Sequence, residues 1–364
     1  MGEFRAAADA GPAAATDAGL GGVDVAALPD GFVPLRIKRV VAETRDAVSI
    51  VLDVPQSSAE RFGYQAGQFL TLLVTVGGRE HRRCYSMSSS PALGEDLQIT
   101  VKRDRDGVVS NWLNDTAAPG DQLPALPPQG RFVLHDSDRE LIAFAGGSGI
   151  TPVFSLLRTA LMSGERATRL FYANRSRDAV IFDEALASLS TRHAGRFVLH
   201  HHLDDNRGFV TPADIEAFVR DAGDADVYIC GPNEFMETVR TALSAAGLPA
   251  DRLHVEHFDV NDIAAASPPA TEVITDEVTI VLDGVTTTAS YDPGNTLLQT
   301  ARMAGLRTPS SCEIGSCGTC MARLTRGSAR MINNDALDPD EVEEGWVLTC
   351  QALPTSPTVR VVYE

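Results

Sequence analysis

Four cysteines near the end of the chain are the residues whose type and spacing point most directly to chemistry. They follow the pattern C-x4-C-x2-C-x29-C and are Cys312, Cys317, Cys320 and Cys350. Thiolates at such spacing ligate either an iron–sulfur cluster or a structural zinc ion. Zinc sites usually show two compact cysteine pairs, whereas only one side of this pattern is compact, so the spacing favours a [2Fe–2S] cluster. Gly315 and Gly318 allow the loop to turn its backbone N–H groups toward the sulfur atoms.

The stretch that holds three of these cysteines resembles a known family. It reads P-S-S-C-E-I-G-S-C-G-T-C over residues 309–320 and is similar to the plant-type ferredoxins. The resemblance implies a C-terminal α+β domain of the β-grasp type over residues 276–364. It also implies that the cluster lies near the surface and passes one electron at a time.

A second motif combines residue types that suit a flavin. Arg83, Cys84, Tyr85 and Ser86 follow a predicted strand. A guanidinium suits a phosphate, an aromatic face suits a ring system, and a small hydroxyl suits a hydrogen bond to a redox-active atom. In this order the residues resemble the flavin signature of the ferredoxin–NADP reductase superfamily. The resemblance implies that Arg83 binds the pyrophosphate, Tyr85 packs on the flavin and Ser86 bonds flavin N5. Cys84 fills the variable position of this cofactor-binding stretch as a small packed residue.

A third segment bears on the choice of flavin. Gly107, Val108, Val109 and Ser110 lead into a predicted helical segment that begins at Asn111. The first turn of a helix offers free N–H groups to a phosphate. The segment resembles the phosphate loop of FAD-binding members of the same superfamily, and it therefore favours FAD over FMN.

A glycine-rich turn joins an apolar strand to a helix in the middle of the chain. It reads G-G-S-G-I-T-P over residues 146–152, and its candidate coenzyme-binding residues are Gly146, Gly147, Gly149, Thr151 and Pro152. Glycines let the pyrophosphate of a dinucleotide approach, and the positive end of the helix attracts its charge. Tight packing alone would produce the same kind of turn. The turn resembles the nicotinamide-binding turn of the same superfamily, which implies that Thr151 borders the nicotinamide ring.

Two later segments complete the predicted nicotinamide site. Cys230, Gly231 and Pro232 end an apolar strand and resemble the second nicotinamide turn of the superfamily, where the cysteine borders the ring. Glu256 and Phe258 resemble its terminal acidic and aromatic residues, and Phe258 is expected to lie against the flavin. The alternative for Phe258 is an ordinary core position on a final strand. The predicted catalytic residues are Ser86, Cys230, Glu256 and Phe258.

The choice between NADH and NADPH depends on residues after two strands of the nucleotide domain. The chain has H-H-H-L-D-D over residues 200–205, and an acidic residue near the adenosine ribose favours NADH over NADPH. Arg175 and Arg177, after the preceding strand, favour NADPH. We expect NADH. The three histidines also suggest a metal site, but alternate strand residues face opposite sides of a sheet.

The pattern of apolar and polar residues changes along the chain, and these changes predict several domains. Residues 31–136 contain short alternating or β-branched runs, which predict an antiparallel β-barrel for the flavin. Residues 137–258 alternate strands with helix-length segments, which predicts a parallel sheet in an α/β domain. Residues 259–275 are predicted as a linker and residues 1–30 as a disordered tail.

Composition limits the partners of the protein. Its 364 residues carry a net charge of −18, which argues against nucleic acid and allows a basic docking partner. A solvated acidic surface explains the same charge. We find no segment that predicts an integral membrane span. Because four of six cysteines crowd near the C-terminus, as ligands would in a reducing compartment, we expect a cytoplasmic protein.

The order of these domains resembles reductase components of multicomponent oxygenases. It resembles in particular the group with a C-terminal cluster that serves 3-ketosteroid 9α-hydroxylase and phenylacetyl-CoA oxygenase. The resemblance implies an NAD(P)H-dependent oxidoreductase that uses FAD and its own cluster to supply a terminal oxygenase, expected to be of the Rieske type. Two alternatives remain, a redox-responsive carrier or regulatory protein and an electron donor to a membrane di-iron desaturase or hydroxylase.

Overall fold

The computed structural model describes residues 27–258, 275–334 and 336–364. The predicted disordered tail, up to residue 26, and the predicted linker, up to residue 274, lie outside the described residues.

The first domain is built on an antiparallel sheet of six strands in the order β4-β3-β6-β1-β2-β5. These strands are β1 (Val33–Thr44), β2 (Ala47–Asp53), β3 (Phe69–Val76), β4 (Arg79–Ser86), β5 (Leu97–Lys102) and β6 (Gln122–Ala125), with helix α1 (Val108–Thr116) after β5. Met87, directly after β4, bridges to Ile99 of β5 and brings the two edges of the sheet together. The inward side chains of these strands form one apolar core, which Trp112 and Leu113 of α1 cover.

The second domain is built on a parallel sheet of five strands in the order β11-β10-β7-β8-β9. Its strands are β7 (Glu140–Gly146), β8 (Thr168–Asn174), β9 (Phe197–Leu203), β10 (Ala225–Cys230) and β11 (Leu253–Glu256). Its helices are α2 (Ile150–Ser163), α3 (Asp183–Arg192), α4 (Asp204–Arg207), α5 (Pro212–Val219) and α6 (Asn233–Ala245). Two separate apolar clusters cover the two faces, one with α2 and α3 and the other with α5 and α6. The nearly continuous burial of β7 and β10 follows from this double cover.

The third domain combines a mixed five-stranded sheet, in the order β13-β12-β18-β14-β16, with two short helices. Its elements are β12 (Glu277–Leu282), β13 (Val285–Ser290), α7 (Leu297–Met303), β14 (Met321–Arg326), β15 (Ala329–Met331), α8 (Pro339–Glu343), β16 (Trp346–Leu348), β17 (Ala352–Pro354) and β18 (Thr358–Val362). Thr296 and Gln299 form a reciprocal capping box at the start of α7. Strands β12 and β18 pair in parallel at the centre of the sheet.

The predicted fold class is confirmed in all three parts: an antiparallel flavin-type barrel, a parallel α/β sheet and a C-terminal ferredoxin-like α+β unit. Among the described residues, no helix has both the length and the apolar character that a membrane span needs.

Candidate functional site

A cavity of about 1310 Å³ lies where the three domains meet. Many predicted site residues line it, namely Arg83, Cys84, Tyr85, Ser86, Gly107, Val108, Val109, Ser110, Thr151, Glu256, Phe258, Cys312 and Cys350. The volume exceeds that of a typical small-molecule pocket, so a large cofactor has room there. The structure therefore brings the predicted flavin residues together with two of the cluster cysteines.

The predicted flavin motif follows the strand β3, as expected, and is itself part of the next strand, β4. Residues 83–86 form the C-terminal half of β4 and pair with β3, with Phe69 opposite Ser86. Ser86 is buried, and Tyr85 packs against the barrel core, where burial raises the pKa of its phenol. A strand holds these side chains in a more rigid array than a loop would.

The start of α1 forms another part of the cavity wall. Gly107 precedes the helix, and a Cβ atom added to it would lie 2.8 Å from Asp104 Cβ and closer still to Ser110 Oγ. The tight turn therefore requires glycine. Ser110 Oγ accepts a hydrogen bond of 3.3 Å from the Asp104 N–H. A helix N-terminus at this wall suits a phosphate group, so the residues present fit the predicted role of the segment.

Sequence reasoning missed Lys102, which also lines the cavity. Burial lowers its pKa, and the charge of Arg175 lowers it further. Its Nζ lies 3.2 Å from the position that a Cβ atom on Gly147 would take. A lysine at the end of β5 therefore reaches the glycine-rich turn of the next domain. Its place in the site follows from this long-range contact and from no local sequence motif.

The two predicted nicotinamide turns pack directly on each other. A Cβ atom on Gly149 would overlap the Cys230 carbonyl and lie 2.7 Å from the Gly231 nitrogen. A Cβ atom on Gly146 would lie 2.8 Å from Pro232 Cδ. The structure thus shows that these glycines let the two turns approach each other closely. Thr151, which is buried, donates a hydrogen bond of 3.0 Å to the Ser148 carbonyl oxygen, and both residues line the cavity.

Several predicted coenzyme and cluster residues do not line the cavity. They are Gly146, Gly147, Gly149, Pro152, Cys230, Gly231, Pro232, Cys317 and Cys320. Cys230 is fully buried at the end of β10, beside Ala145 of β7 and Glu256 of β11. The two nicotinamide turns pack on each other beside Thr151 and Glu256, whereas Cys317 and Cys320 belong to the cluster loop.

Glu256 and Phe258 enter the cavity from the end of β11. Glu256 is buried, whereas Phe258 is half-buried and packs against the apolar cluster beneath α2 and α3. Both line the cavity. Phe258 thus contacts the core and the cavity at once, so the two interpretations of this residue are compatible.

The cluster cysteines form two close pairs. Within the described residues, no three His, Cys, Asp or Glu side chains group tightly enough to hold a single metal ion. The thiols of Cys312 and Cys317 are hydrogen-bonded to each other, and so are those of Cys320 and Cys350. The bond from Cys312 lowers the pKa of the Cys317 thiol below its ordinary value. Two thiol pairs are a donor set that fits a cluster of two irons.

Two side-chain amides support the loop between the first two cysteines. Asn333 donates a hydrogen bond of 2.8 Å to the Ile314 carbonyl, and Gln351 donates one of 2.8 Å to the Glu313 carbonyl. Gln351 Nε2 also lies 3.7 Å from Cys350 Sγ. Such outer contacts orient ligands and tune a cluster.

The coenzyme-choice residues lie at the carboxyl ends of β8 and β9. The Asp205 N–H donates a hydrogen bond of 3.0 Å to the Arg175 carbonyl, so the two loops adjoin. The histidines alternate as expected, since His200 and His202 stack on Phe171 on one side of the sheet and His201 lies near Tyr172 on the other.

Three family descriptions match consecutive parts of the chain. Residues 34–134 match the oxidoreductase FAD-binding domain, residues 143–241 the oxidoreductase NAD-binding domain, and residues 280–355 the 2Fe-2S iron-sulfur cluster binding domain. Together with the shared cavity, these domains define the class: an NAD- and FAD-binding iron–sulfur oxidoreductase.

The relatives narrow this class. The chain is 39% identical over 346 residues to the 3-ketosteroid-9-alpha-monooxygenase, ferredoxin reductase component of Mycolicibacterium smegmatis, a match that covers 91% of this chain and 96% of that protein. It is 32% identical to a component of the 1,2-phenylacetyl-CoA epoxidase of Escherichia coli, with 92% and 98% covered. Among solved structures, phthalate dioxygenase reductase shares 28% identity and a TM-score of 0.62, with 92% and 98% covered. The chain belongs to the family of reductase components of oxygenases, which confirms the predicted family.

Proposed function

We propose that the protein takes electrons from NADH and delivers them, through FAD and its own [2Fe–2S] cluster, to a separate terminal oxygenase. The observation that carries the proposal is the single cavity lined by the flavin motif and by two cluster cysteines, Cys312 and Cys350. The names of the relatives, which describe reductase components of monooxygenases, support the oxygenase as acceptor.

FAD bound in this cavity would supply two-electron chemistry and a [2Fe–2S] cluster one-electron chemistry, so together they would connect a two-electron donor to a one-electron acceptor. Arg83 and the N-terminus of α1 would hold the pyrophosphate of FAD, because Arg83 offers charge and the helix start offers N–H groups to the cavity. Tyr85 supplies an aromatic surface and Ser86 a buried hydroxyl. Thr151, Glu256 and Phe258 enclose the nicotinamide end and keep water from it.

The structure supports NADH as the coenzyme, because the two arginines that favour NADPH are already paired. Arg177 lies 2.7 Å from Asp183, and Arg175 lies 3.6 Å from Asp46 of the flavin domain. A 2′-phosphate would have to compete with these carboxylates, and Asp205 beside Arg175 would repel it further. If NADPH reduces the flavin as fast as NADH does at the same concentration, the choice of NADH is wrong.

The proposal has two further parts, the type of the terminal oxygenase and the cellular compartment of the protein. The expectation of a Rieske-type oxygenase stays a prediction, which mixing the reduced protein with purified oxygenases of each type tests directly. The cytoplasmic location stays a prediction that rests on the cysteines serving as cluster ligands, since such thiols need a reducing compartment.

The decisive experiment separates the flavin from the cluster. Purified protein should contain one FAD, two iron and two acid-labile sulfide per chain. NADH should drive steady reduction of both ferricyanide, which takes electrons from the flavin, and cytochrome c, which takes them from the cluster. Cys317→Ser should abolish cytochrome c reduction and preserve ferricyanide reduction. Zinc in place of iron would contradict the proposal. A single turnover without steady reduction would also contradict it and would favour a regulatory or carrier role.

A further inference from the structure

One face of strand β4 contacts the ferredoxin domain. Arg82 and Cys84 are two residues apart on the strand, so their side chains point to the same side. The Cys84 thiol donates a hydrogen bond of 3.7 Å to the Cys312 carbonyl oxygen. Arg82 Nη1 lies 3.8 Å from Glu313 Oε1. Two positions on the flavin strand thus meet two successive residues of the cluster loop, the first of which is a cluster cysteine.

Neighbouring contacts hold the same loop on both sides of these pairs. Phe69, from the strand next to β4, is almost fully buried and packs in one apolar cluster with Cys312 and Ile314. The Ser311 hydroxyl donates a hydrogen bond of 2.5 Å to Gln129 Oε1 of the flavin domain. The cluster loop is therefore seated on the flavin domain through several different kinds of contact.

Glu313 is held firmly from the ferredoxin side. Its φ of 60° is in the left-handed region, which is unfavourable for a residue with a side chain. Its carboxylate accepts two hydrogen bonds from Arg302, of 2.5 and 3.1 Å, and its carbonyl accepts one from Gln351. A strained residue that is fixed in this way presents its carboxylate to Arg82 in a defined position.

We propose that Arg82 and Cys84 are positioning residues that dock the cluster loop on the flavin strand and so set the rate at which electrons reach the cluster. The proposal rests on the proposed function and adds no chemical step to it. Arg82 and Cys84 line the cavity beside the flavin motif and also contact the cluster loop, so they fix the distance between the cofactor site and Cys312.

The test compares two charge reversals on the same strand. Arg82→Glu replaces an attraction to Glu313 with a repulsion, whereas the control Arg79→Glu makes the same change at the exposed start of β4. On rapid mixing with NADH, we expect flavin bleaching to be unchanged in both variants. Cluster bleaching should slow about fivefold in Arg82→Glu, the factor that corresponds to a partly exposed ion pair, and should stay normal in Arg79→Glu. High salt should narrow this difference, because it screens the charges.

A structural readout accompanies the kinetics. Hydrogen exchange of residues 310–316 should accelerate in Arg82→Glu and not in Arg79→Glu, while FAD and iron contents stay those of the wild type. If Arg82→Glu loses FAD, Arg82→Gln provides a milder form of the same test, because it removes the attraction to Glu313 without adding a repulsion.

Equal cluster rates and equal exchange in Arg82→Glu and Arg79→Glu would overturn the docking role, and so would wild-type behaviour of Arg82→Gln where Arg82→Glu loses FAD. Failure of the proposed function looks different. In that case the wild-type protein itself would show no bleaching of flavin or cluster with NADH.

Discussion

The nicotinamide turn and the cluster loop both depend on glycine, but for different physical reasons. Gly149 has an ordinary φ of −60°, yet no side chain fits there because the Cys230–Gly231 backbone occupies the space. Gly315 and Gly318 have φ values of 90° and 75°, which residues with a Cβ atom rarely adopt. Gly149 is needed only for contact and Gly318 only for conformation, whereas Gly315 combines the two.

The two sites also differ in what supports them. The nicotinamide turn rests on the backbone of a neighbouring strand of the same sheet, so its geometry is fixed by the fold of the domain. The cluster loop is supported by the side-chain amides of Asn333 and Gln351. We therefore expect substitutions in the turn to affect the whole nucleotide domain and substitutions in the loop to affect mainly the cluster.

The largest effect is expected for Gly149→Ala. Its methyl group would overlap backbone atoms that cannot move separately from β10, which costs about 3 kcal/mol of stability, the upper end for forced overpacking. Coenzyme binding, measured by titration of NADH against flavin absorbance, should be lost. Dithionite, which bypasses the coenzyme, should still reduce flavin and cluster. Retention of wild-type NADH affinity would show that the turn can relax.

Gly315→Ala should produce the complementary defect at a cost of about 2 kcal/mol, because a left-handed conformation and a contact add together. An added Cβ atom would lie 2.9 Å from the Asn333 carbonyl oxygen. We expect lower iron and sulfide content with normal reduction of FAD by NADH. Gly315→Asn should not restore the cluster, since asparagine tolerates the conformation but keeps the contact. A full cluster in Gly315→Asn would mean that only conformation matters at this position.

Gly318→Ala isolates the conformational part. The nearest atom to an added Cβ would be Ala336 Cβ at 3.9 Å, so space is available and only the left-handed φ opposes the change. We expect a loss of about 1 kcal/mol in stability and a faster loss of the cluster on warming. The visible absorbance of the cluster measures this loss. Gly318→Asn should recover most of the loss, because asparagine enters this region more readily. Equal instability of the two variants would contradict the conformational explanation.

The sequence predicted the architecture well because each domain has its own local signal. Alternating strands, the alternation of strands with helix-length segments, and the ferredoxin-like cysteine motif predicted the three fold classes that the structure shows. The same local signals placed the flavin motif after a strand, which is β3, but did not indicate that the motif itself ends a further strand, β4. Patterns of apolar residues do not show where a strand ends when its last residues face a cavity.

What the sequence could not predict are contacts between residues that are distant along the chain. Cys84 and Cys312 are 228 positions apart, and nothing in either motif indicates that they meet. The reason for Gly149 is equally non-local, because the atoms that exclude a side chain belong to residues 230 and 231. Such contacts depend on how complete domains and strands pack, and that packing is specified by the whole core.

Gly164→Ala tests whether the comparison depends on position rather than on loss of glycine itself. Gly164 follows α2 with an extended backbone, φ −173°, and has no atom within 4 Å of an added Cβ. Neither contact nor conformation opposes a methyl group there. Alanine also has fewer conformations in the unfolded chain, so stability should stay within about 0.5 kcal/mol of the wild type or rise slightly. Thermal release of FAD, cluster absorbance and NADH affinity should all match the wild type. A loss like that of Gly149→Ala would show that the chain is sensitive to any glycine replacement, and the distinction between contact and conformation would then fail.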